Sequence, residues 1–551
     1  MTSLPGSLAR PVPLRVRWIA VAAAALTAAA AAAGLGAGSP GRSPIDAPSL
    51  PRQAGDASLA PSLAKLAAAD PRRRVEVIVQ LGHGVELARG RALVRALGGR
   101  PGRDLHIING FAVRLTAGAA RELAGSPQVR AVSLNSAISE TSLVNFDSSK
   151  MATAFNQSVT TSNVWNHSTG AGVGVAVIDT GIAGDLQDFR VSQSDPTSRV
   201  VASAVVNPSA TTAADTYGHG THVAGLVAGN GGYRTSGDPQ WGKYAGSAPD
   251  ANLISIKISD DDGQATALDA IYGLQFAVDH KDDYNIRVVN LSFRSTAAES
   301  YQTDPLDAAA EQAWLKGIVV VAAAGNLGTA ADAVSYAPGN DPYVITVGAV
   351  DDQGTKTTTD DTIADWSSRG VTQDGFAKPD VLAPGAHIVS TLAHGSAFES
   401  LCASCIRAGD YFQAGGTSMA APIVSGAAAD ILAAHPSWTP DMVKGSIVNT
   451  LRTLPGGGKE LYATYAWSAS GSTLVSNQGL TPNTLVDPGT GDIDYSRGSW
   501  TRGSWTTATD PLRASWSRAS WSCDCSLTAT GEVDPARASW SRASWSTNWS
   551  L

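Results

Sequence analysis

Between about residues 160 and 455 the chain carries two kinds of apolar pattern in alternation. VGVAVI, ANLISIKI, IRVVNLSF, GIVVVAAA and YVITVGAV are short, β-branched and apolar at almost every position, which is how strands read when both faces are buried. Between them Leu268, Ile271, Tyr272, Leu274 and Val278 fall at helical spacing across 265–279, and 306–315 suits a second helix. An alanine-rich run, IVSGAAADILAAH, follows Pro422 and reads as a buried helix. Strand and helix in turn predict an α/β fold with a doubly wound, mostly parallel sheet, whose site belongs at the carboxyl ends of the strands.

Upstream the pattern is different. RRRVEVIVQL, a helical stretch over 87–97, DLHIINGFAVRL, a second helical stretch over 117–124 and VRAVSLN give strand, helix, strand, helix, strand within 72–140. That order suits a small α+β unit of ferredoxin-like type. Residues 39–71, rich in Pro, Ser and Gly, read as a linker. Downstream of 455 the sequence becomes repetitive: RGSWT occurs twice and RASWS four times, in three tandem pairs too short to stack on a core of their own. Residues 456–551 are therefore expected to be a low-complexity extension, whose Arg and Trp side chains suit an acidic, aromatic or carbohydrate-rich surface such as a cell's.

Composition adds limits. Of 551 residues 43% are hydrophobic and 16% charged, and 40 basic against 48 acidic residues leave a net charge of −8. Nothing in that balance calls for nucleic acid as a partner. Arg10, Arg15 and Arg17 precede an uncharged, alanine-dominated run over 18–38, so residues 1–38 read as a secretory signal peptide rather than a permanent membrane anchor. Export permits disulfides among Cys402, Cys405, Cys523 and Cys525, with all three pairings open; crossed pairs would staple the tail near residue 418. The cysteine spacing matches no recognised zinc set.

The chemistry gathers at the ends of the predicted strands. VGVAVI runs into Asp179, GHGTHVAG sets His219 at a helix start, AAAGN closes the strand GIVVVAAA with Asn326, and GGTSMAAP puts Ser418 at the mouth of the alanine-rich helix. Each alone has a plainer reading as a turn or cap residue. Two zinc ligands on one helix want a spacing of four and a carboxylate base, whereas His219 and His222 are three apart. Together at one rim, the residues suit acyl transfer: a hydroxyl needs an imidazole to take its proton, the imidazole needs a carboxylate, and the developing oxyanion needs donors.

VIDTG, GHGTHVAG, AAAGN and GTSMAAP, in that order and joined by VVNLS at 288–292 and KPDVLAPG at 378–385, resemble the subtilisin-like serine proteases, or subtilases. The likeness covers about residues 160–455. It implies a serine endopeptidase with Asp179 stabilising charge, His219 as general acid and base, Ser418 as nucleophile and Asn326 as oxyanion donor. Ser292, Phe293, Ala323, Ala324 and Gly325 would line the cleft and accept a substrate strand by backbone pairing. Phe293-Arg294 departs from the family's usual Leu-Gly and leaves the subsite preference open. Asp188 matches a family calcium ligand, but the loop after His219 lacks the companion pattern, so calcium stays uncommitted and the chemistry calls for no cofactor. Residues 72–140 would be a pro-domain that assists folding and inhibits the cleft, cut off between Asn135 and Lys150 to free a peptidase domain at 150–455. The expected product is a secreted, monomeric enzyme acting on proteins or peptides. Alternatives are a cell-surface binding protein working through the tail, or a maturase of narrow specificity.

Overall fold

A computed structural model of the chain describes residues 58–140, 153–231, 238, 240 and 243–484. The expected signal peptide, the RGSWT and RASWS repeats, Cys523 and Cys525 lie outside these residues. The N-terminal unit holds β1 (Ser58–Leu59), α1 (Pro61–Ala69), β2 (Arg74–Leu81), α2 (Leu87–Ala96), β3 (Arg100–Leu105), β4 (Gly110–Thr116), α3 (Ala117–Ala124) and β5 (Val129–Leu134). Its sheet order, β1-β5-β2-β4-β3, contains the four-strand ferredoxin-like arrangement with one short strand added. Two expectations change. DLHIINGFAVRL is two strands rather than one, parted by a turn at His106–Ile108 and a left-handed Asn109 (φ 47°). The linker expected up to residue 71 already contains β1 and α1.

Both faces of this small sheet are covered, and β2 shows why its sequence is apolar at three successive positions, Val77 to Val79. Val77, Val79 and Leu81 join the unit's own core with Phe111, Val113 and Leu115. Ile78, which points the other way, joins Ala112, Leu105, Ile107 and Ile108 in the core of the large domain. Along that seam Tyr272 donates a hydrogen bond to the Asp104 carbonyl at 3.1 Å, and the Arg103 guanidinium lies 4.7 Å from the Tyr272 ring centre.

Next in the chain come β6 (Ala137–Glu140), two short helices α4 (Phe155–Ser158) and α5 (Thr161–Val164), and then β7 (Gly174–Asp179), β8 (Val200–Val205), α6 (His219–Ala228) and β9 (Asn252–Lys257). These are followed by β10 (Ala265–Thr266), α7 (Ala267–Asp279), β11 (Ile286–Leu291), β12 (Phe293–Ser295), α8 (Pro305–Leu315), β13 (Val319–Ala323), β14 (Ile345–Asp351), α9 (Ala397–Leu401) and α10 (Thr417–Ala434). The main sheet's long run, Val381–Pro384, β14, β13, β11, β7, β9, β8, is all parallel, and two-residue strands at Thr362–Ile363 and Arg452–Thr453 add antiparallel pairs at its side. The fold class is thus the expected one, α/β with a doubly wound parallel sheet. Its strand order reverses at β7, so the crevice of such a sheet opens at the carboxyl end of that strand, where Asp179 stands. The folded domain does not stop at 455: Leu461, Ala463 and Ala466 belong to the core and Asn483 is fully buried, so the extension begins later than the composition suggests.

IRVVNLSF also divides. β11 stays in the main sheet, while β12 turns out of it and pairs antiparallel with β6, which pairs in turn with β10. The register sets Glu140 opposite Phe293, Ser139 opposite Arg294 and Ile138 opposite both Ser295 and Ala265. A segment just past the N-terminal unit thus fills the middle of a three-stranded sheet.

Candidate active site

Asp179 ends β7 with only 4% of its surface exposed. Its Oδ1 accepts hydrogen bonds from the Thr180 N–H at 2.8 Å and from His219 Nδ1 at 2.7 Å. With Nδ1 bound to a carboxylate, the imidazole is oriented so that Nε2 is the nitrogen left to exchange a proton. His219 can come this close because its neighbour is glycine: a Cβ on Gly220 would lie 2.2 Å from the Gly181 carbonyl oxygen.

A second carboxylate fixes the helix itself. Asp215 accepts from the Gly218 N–H (2.7 Å) and the Thr180 hydroxyl (2.8 Å) through one oxygen, and from the Thr221 N–H (2.7 Å) and hydroxyl (2.6 Å) through the other. Thr180 in turn accepts from the Gly220 N–H at 2.9 Å. An anion here satisfies orphan N–H groups at the start of α6 and ties that helix to the end of β7. Burial raises the Asp215 pKa above its ordinary value against the lowering by these bonds. The sequence reading missed Asp215 and Thr180; an acid three residues ahead of the helix cap was the available signal.

Ser418 is the second residue of α10 and is wholly buried. Its hydroxyl donates to the Ser292 carbonyl at 2.9 Å, and the Ser292 hydroxyl donates back to the Ser418 carbonyl at 2.9 Å. Asn326 stands beside it. The amide oxygen of Asn326 accepts from the Thr417 N–H (3.0 Å) and hydroxyl (3.1 Å), and that hydroxyl also accepts from the Gly325 N–H at 3.0 Å. Those bonds fix the plane of the carboxamide and assign its two ends. Helices α6 and α10 pack against each other, and one cavity is lined by Asp179, Thr180, Ser292 and Phe293 together. Asp179 and His219 are thus in direct contact, Ser418 and Ser292 exchange hydrogen bonds, and Asn326 is bonded to Thr417, the residue before Ser418.

The cleft residues divide by role. Phe293 is buried at 3% exposure and pairs with the β6 strand. Ala323 sits in β13, the Ala324 N–H donates to the Val347 carbonyl, and the Gly325 carbonyl accepts from the Ser368 N–H.

No zinc pair forms on α6. His219 is committed to Asp179, and His222 Nε2 meets the Phe412 carbonyl at 2.9 Å while burial pushes the His222 pKa down to about 3. Asp188 accepts from the Tyr411 hydroxyl at 2.9 Å, and its carbonyl accepts from Arg199 at 2.9 Å. Among the described residues no group of three or more His, Cys, Asp or Glu side chains is placed to hold a metal ion. Cys402 and Cys405 are bonded to each other, which excludes the crossed pairings that would have stapled the tail to this region. Just before them Phe398 stacks edge-on to His219, ring centres 6.2 Å apart.

Residues 170–479 match the subtilase family, Peptidase_S8. The chain is 40% identical over 286 residues to the serine protease AprX of Bacillus subtilis (strain 168), a stretch covering 51% of this chain and 61% of that protein. It is 33% identical over 287 residues to subtilisin DY of Bacillus licheniformis, covering 52% of this chain and 85% of that one. Among solved structures, fervidolysin from Fervidobacterium pennivorans, described as a keratinolytic enzyme related to subtilisin, shares the fold with a TM-score of 0.57 at 21% identity, over 76% of this chain and 64% of that chain. The chain belongs to the subtilase family.

Proposed function

We propose that the protein is a secreted serine endopeptidase, made as a zymogen, that cleaves peptide bonds through an acyl-enzyme on Ser418. The observation that carries this reading is the 2.7 Å contact between the buried Asp179 carboxylate and His219 Nδ1 at the switch point of the sheet. His219 Nε2 would take the Ser418 proton, for which the hydroxyl hydrogen now directed at Ser292 must turn to the imidazole; Asp179 then faces an imidazolium. The tetrahedral oxyanion forms where the Asn326 amide and the Ser418 N–H at the start of α10 can donate to it. His219 next returns the proton to the leaving amine, and water repeats the sequence to release the acid.

The zymogen reading rests on β6. An antiparallel strand between β10 and β12 is how an extended substrate would bind, and this chain supplies one from its own residues 137–140. Cleavage after that strand, in the interval from Asn135 to Lys150, would free the cleft once the N-terminal unit is released. Much of that interval lies outside the described residues.

A fluorophosphonate should label Ser418 covalently once the N-terminal unit is removed, and Ser418→Ala should take no label. Processed protein of wild-type sequence that refuses the probe would sink the assignment. Asn326→Ala should lower kcat by about 10² to 10³ with little change in KM, a scale known for this loss in subtilisin itself rather than drawn from this geometry. Steady-state kinetics on a peptide substrate check it; a KM effect alone would mean that Asn326 binds substrate and does not meet the oxyanion.

A further inference from the structure

The departure at residue 294 points to a substrate class. Arg294 lies in β12, next to the strand that a substrate would replace. Its side chain reaches back toward the wall of the cleft: a Cβ built on Gly325 would lie 3.1 Å from Arg294 Cδ and 3.7 Å from Nε. It is held there from outside, since the guanidinium carbon sits 4.6 Å from the Tyr336 ring centre and Nη1 donates to the Ser295 carbonyl at 3.0 Å. Tyr336 is anchored in turn by donating to Asp332 at 2.5 Å. Arg294 is only half-buried and forms no ion pair within 4.0 Å among the described residues. A guanidinium has five N–H donors in a planar fork suited to a carboxylate, and Ser295 takes one of them.

The register says which substrate side chain would meet this fork. Residues directly opposite in an antiparallel pair share a face, as do positions two apart on one strand. Ser139 is opposite Arg294 and Glu140 opposite Phe293, so a substrate strand in this register would set its next residue opposite Ser292. Since the Ser292 carbonyl takes the Ser418 hydroxyl at 2.9 Å, the bond to be cut follows that residue. Its side chain lies on the Arg294 face, between β12 and the Ala323–Asn326 wall.

We propose that Arg294 makes this a peptidase of acidic sites, selecting Asp or Glu as the residue whose carbonyl is attacked. The inference rests on the endopeptidase reading above and adds the substrate to it. A lysine or arginine in the same place would meet like charge in a partly dry groove, so basic residues should be excluded. Asp332 softens the field of Arg294 without meeting it.

The test uses the processed enzyme and a set of otherwise identical fluorogenic peptides carrying Glu, Gln, Ala or Lys before the scissile bond. Wild type should favour Glu over its isostere Gln by about tenfold in kcat/KM, the equivalent of a single modest charge contact, and Lys should be the poorest. In Arg294→Gln the Glu-to-Gln ratio should fall to about one, while Arg294→Lys should retain part of it; added salt should shrink the wild-type ratio. An enzyme that accepts the fluorophosphonate but cleaves Gln as well as Glu overturns the inference, and so does a ratio unchanged in Arg294→Gln. An enzyme that takes no probe and cuts no peptide overturns the endopeptidase reading instead.

Discussion

Replacing Asp179 with Asn should lower kcat/KM by about 10⁴, the scale seen when serine proteases, subtilisin included, lose this carboxylate. The substitution keeps the shape of the site. An Asn oxygen in place of Oδ1 could still accept from the Thr180 N–H and His219 Nδ1, whose distances are 2.8 and 2.7 Å. What it removes is a negative charge beside a ring that must become an imidazolium, in a place with 4% exposure where water cannot substitute. The loss should therefore fall on kcat, with KM little changed, and fluorophosphonate labelling should slow by a similar factor. A variant within tenfold of wild type would show that His219 needs no partner, and the proposed mechanism would fail with it.

The second large effect concerns stability and pH. Asp304, which caps α8, and Asp307 and Glu311 on that helix are buried, and Asp341 lies against them. Burial raises all four pKa values: Asp304 to about 6, Asp341 to about 7, and Asp307 and Glu311 well above their ordinary range, where neighbouring carboxylates add to the effect. Burial, with Asp304 nearby, also lifts Glu299 to about 8, and elsewhere burial lifts Asp352 and Glu460 to about 7. An acid whose pKa is raised by folding contributes stability that is fully present below its unfolded value, near 4, and is lost as pH rises through the folded value. Each proton held by the folded state alone changes stability by roughly 1.4 kcal/mol per pH unit. His222, pushed down to about 3, works the other way between pH 3 and 6.5, and Lys444, pushed down to about 8, does so above 8. The fall should therefore run from about pH 4.5 to 8, steepest below pH 6 where all the acids outweigh His222, with a loss of several kcal/mol. Calorimetry on full-length Ser418→Ala, which cannot digest itself, should show Tm dropping across that window, and Asp307→Asn combined with Asp341→Asn should flatten the drop. A Tm that holds or climbs over that range would mean that these acids are ionised in the folded protein.

Both effects turn on groups whose setting a one-dimensional pattern shows unequally. Asp179, His219, Asn326 and Ser418 were legible because each stands at a junction, a strand end or a helix start, where local sequence fixes the backbone. Asp215 was less so, since its value lies in three partners contributed by two elements. The acids of α8 carry no local signal of burial; they are buried because Lys378, Lys444 and Asn483 arrive from far along the chain to surround Asp341 and Glu311.

By itself the sequence determined the alternation of buried strands and helices, and with it a parallel sheet carrying an acid, an imidazole, an amide and an alcohol at one rim, because hydrophobic period and turn chemistry act within a few residues. Tertiary structure alone decided that IRVVNLSF breaks at Ser292, that β6 lies between β10 and β12, and that Arg294 leans toward Gly325. The reason is that a strand's edge carries the same N–H and C=O groups whatever its sequence, so which segment pairs with it is settled only when the whole chain has packed.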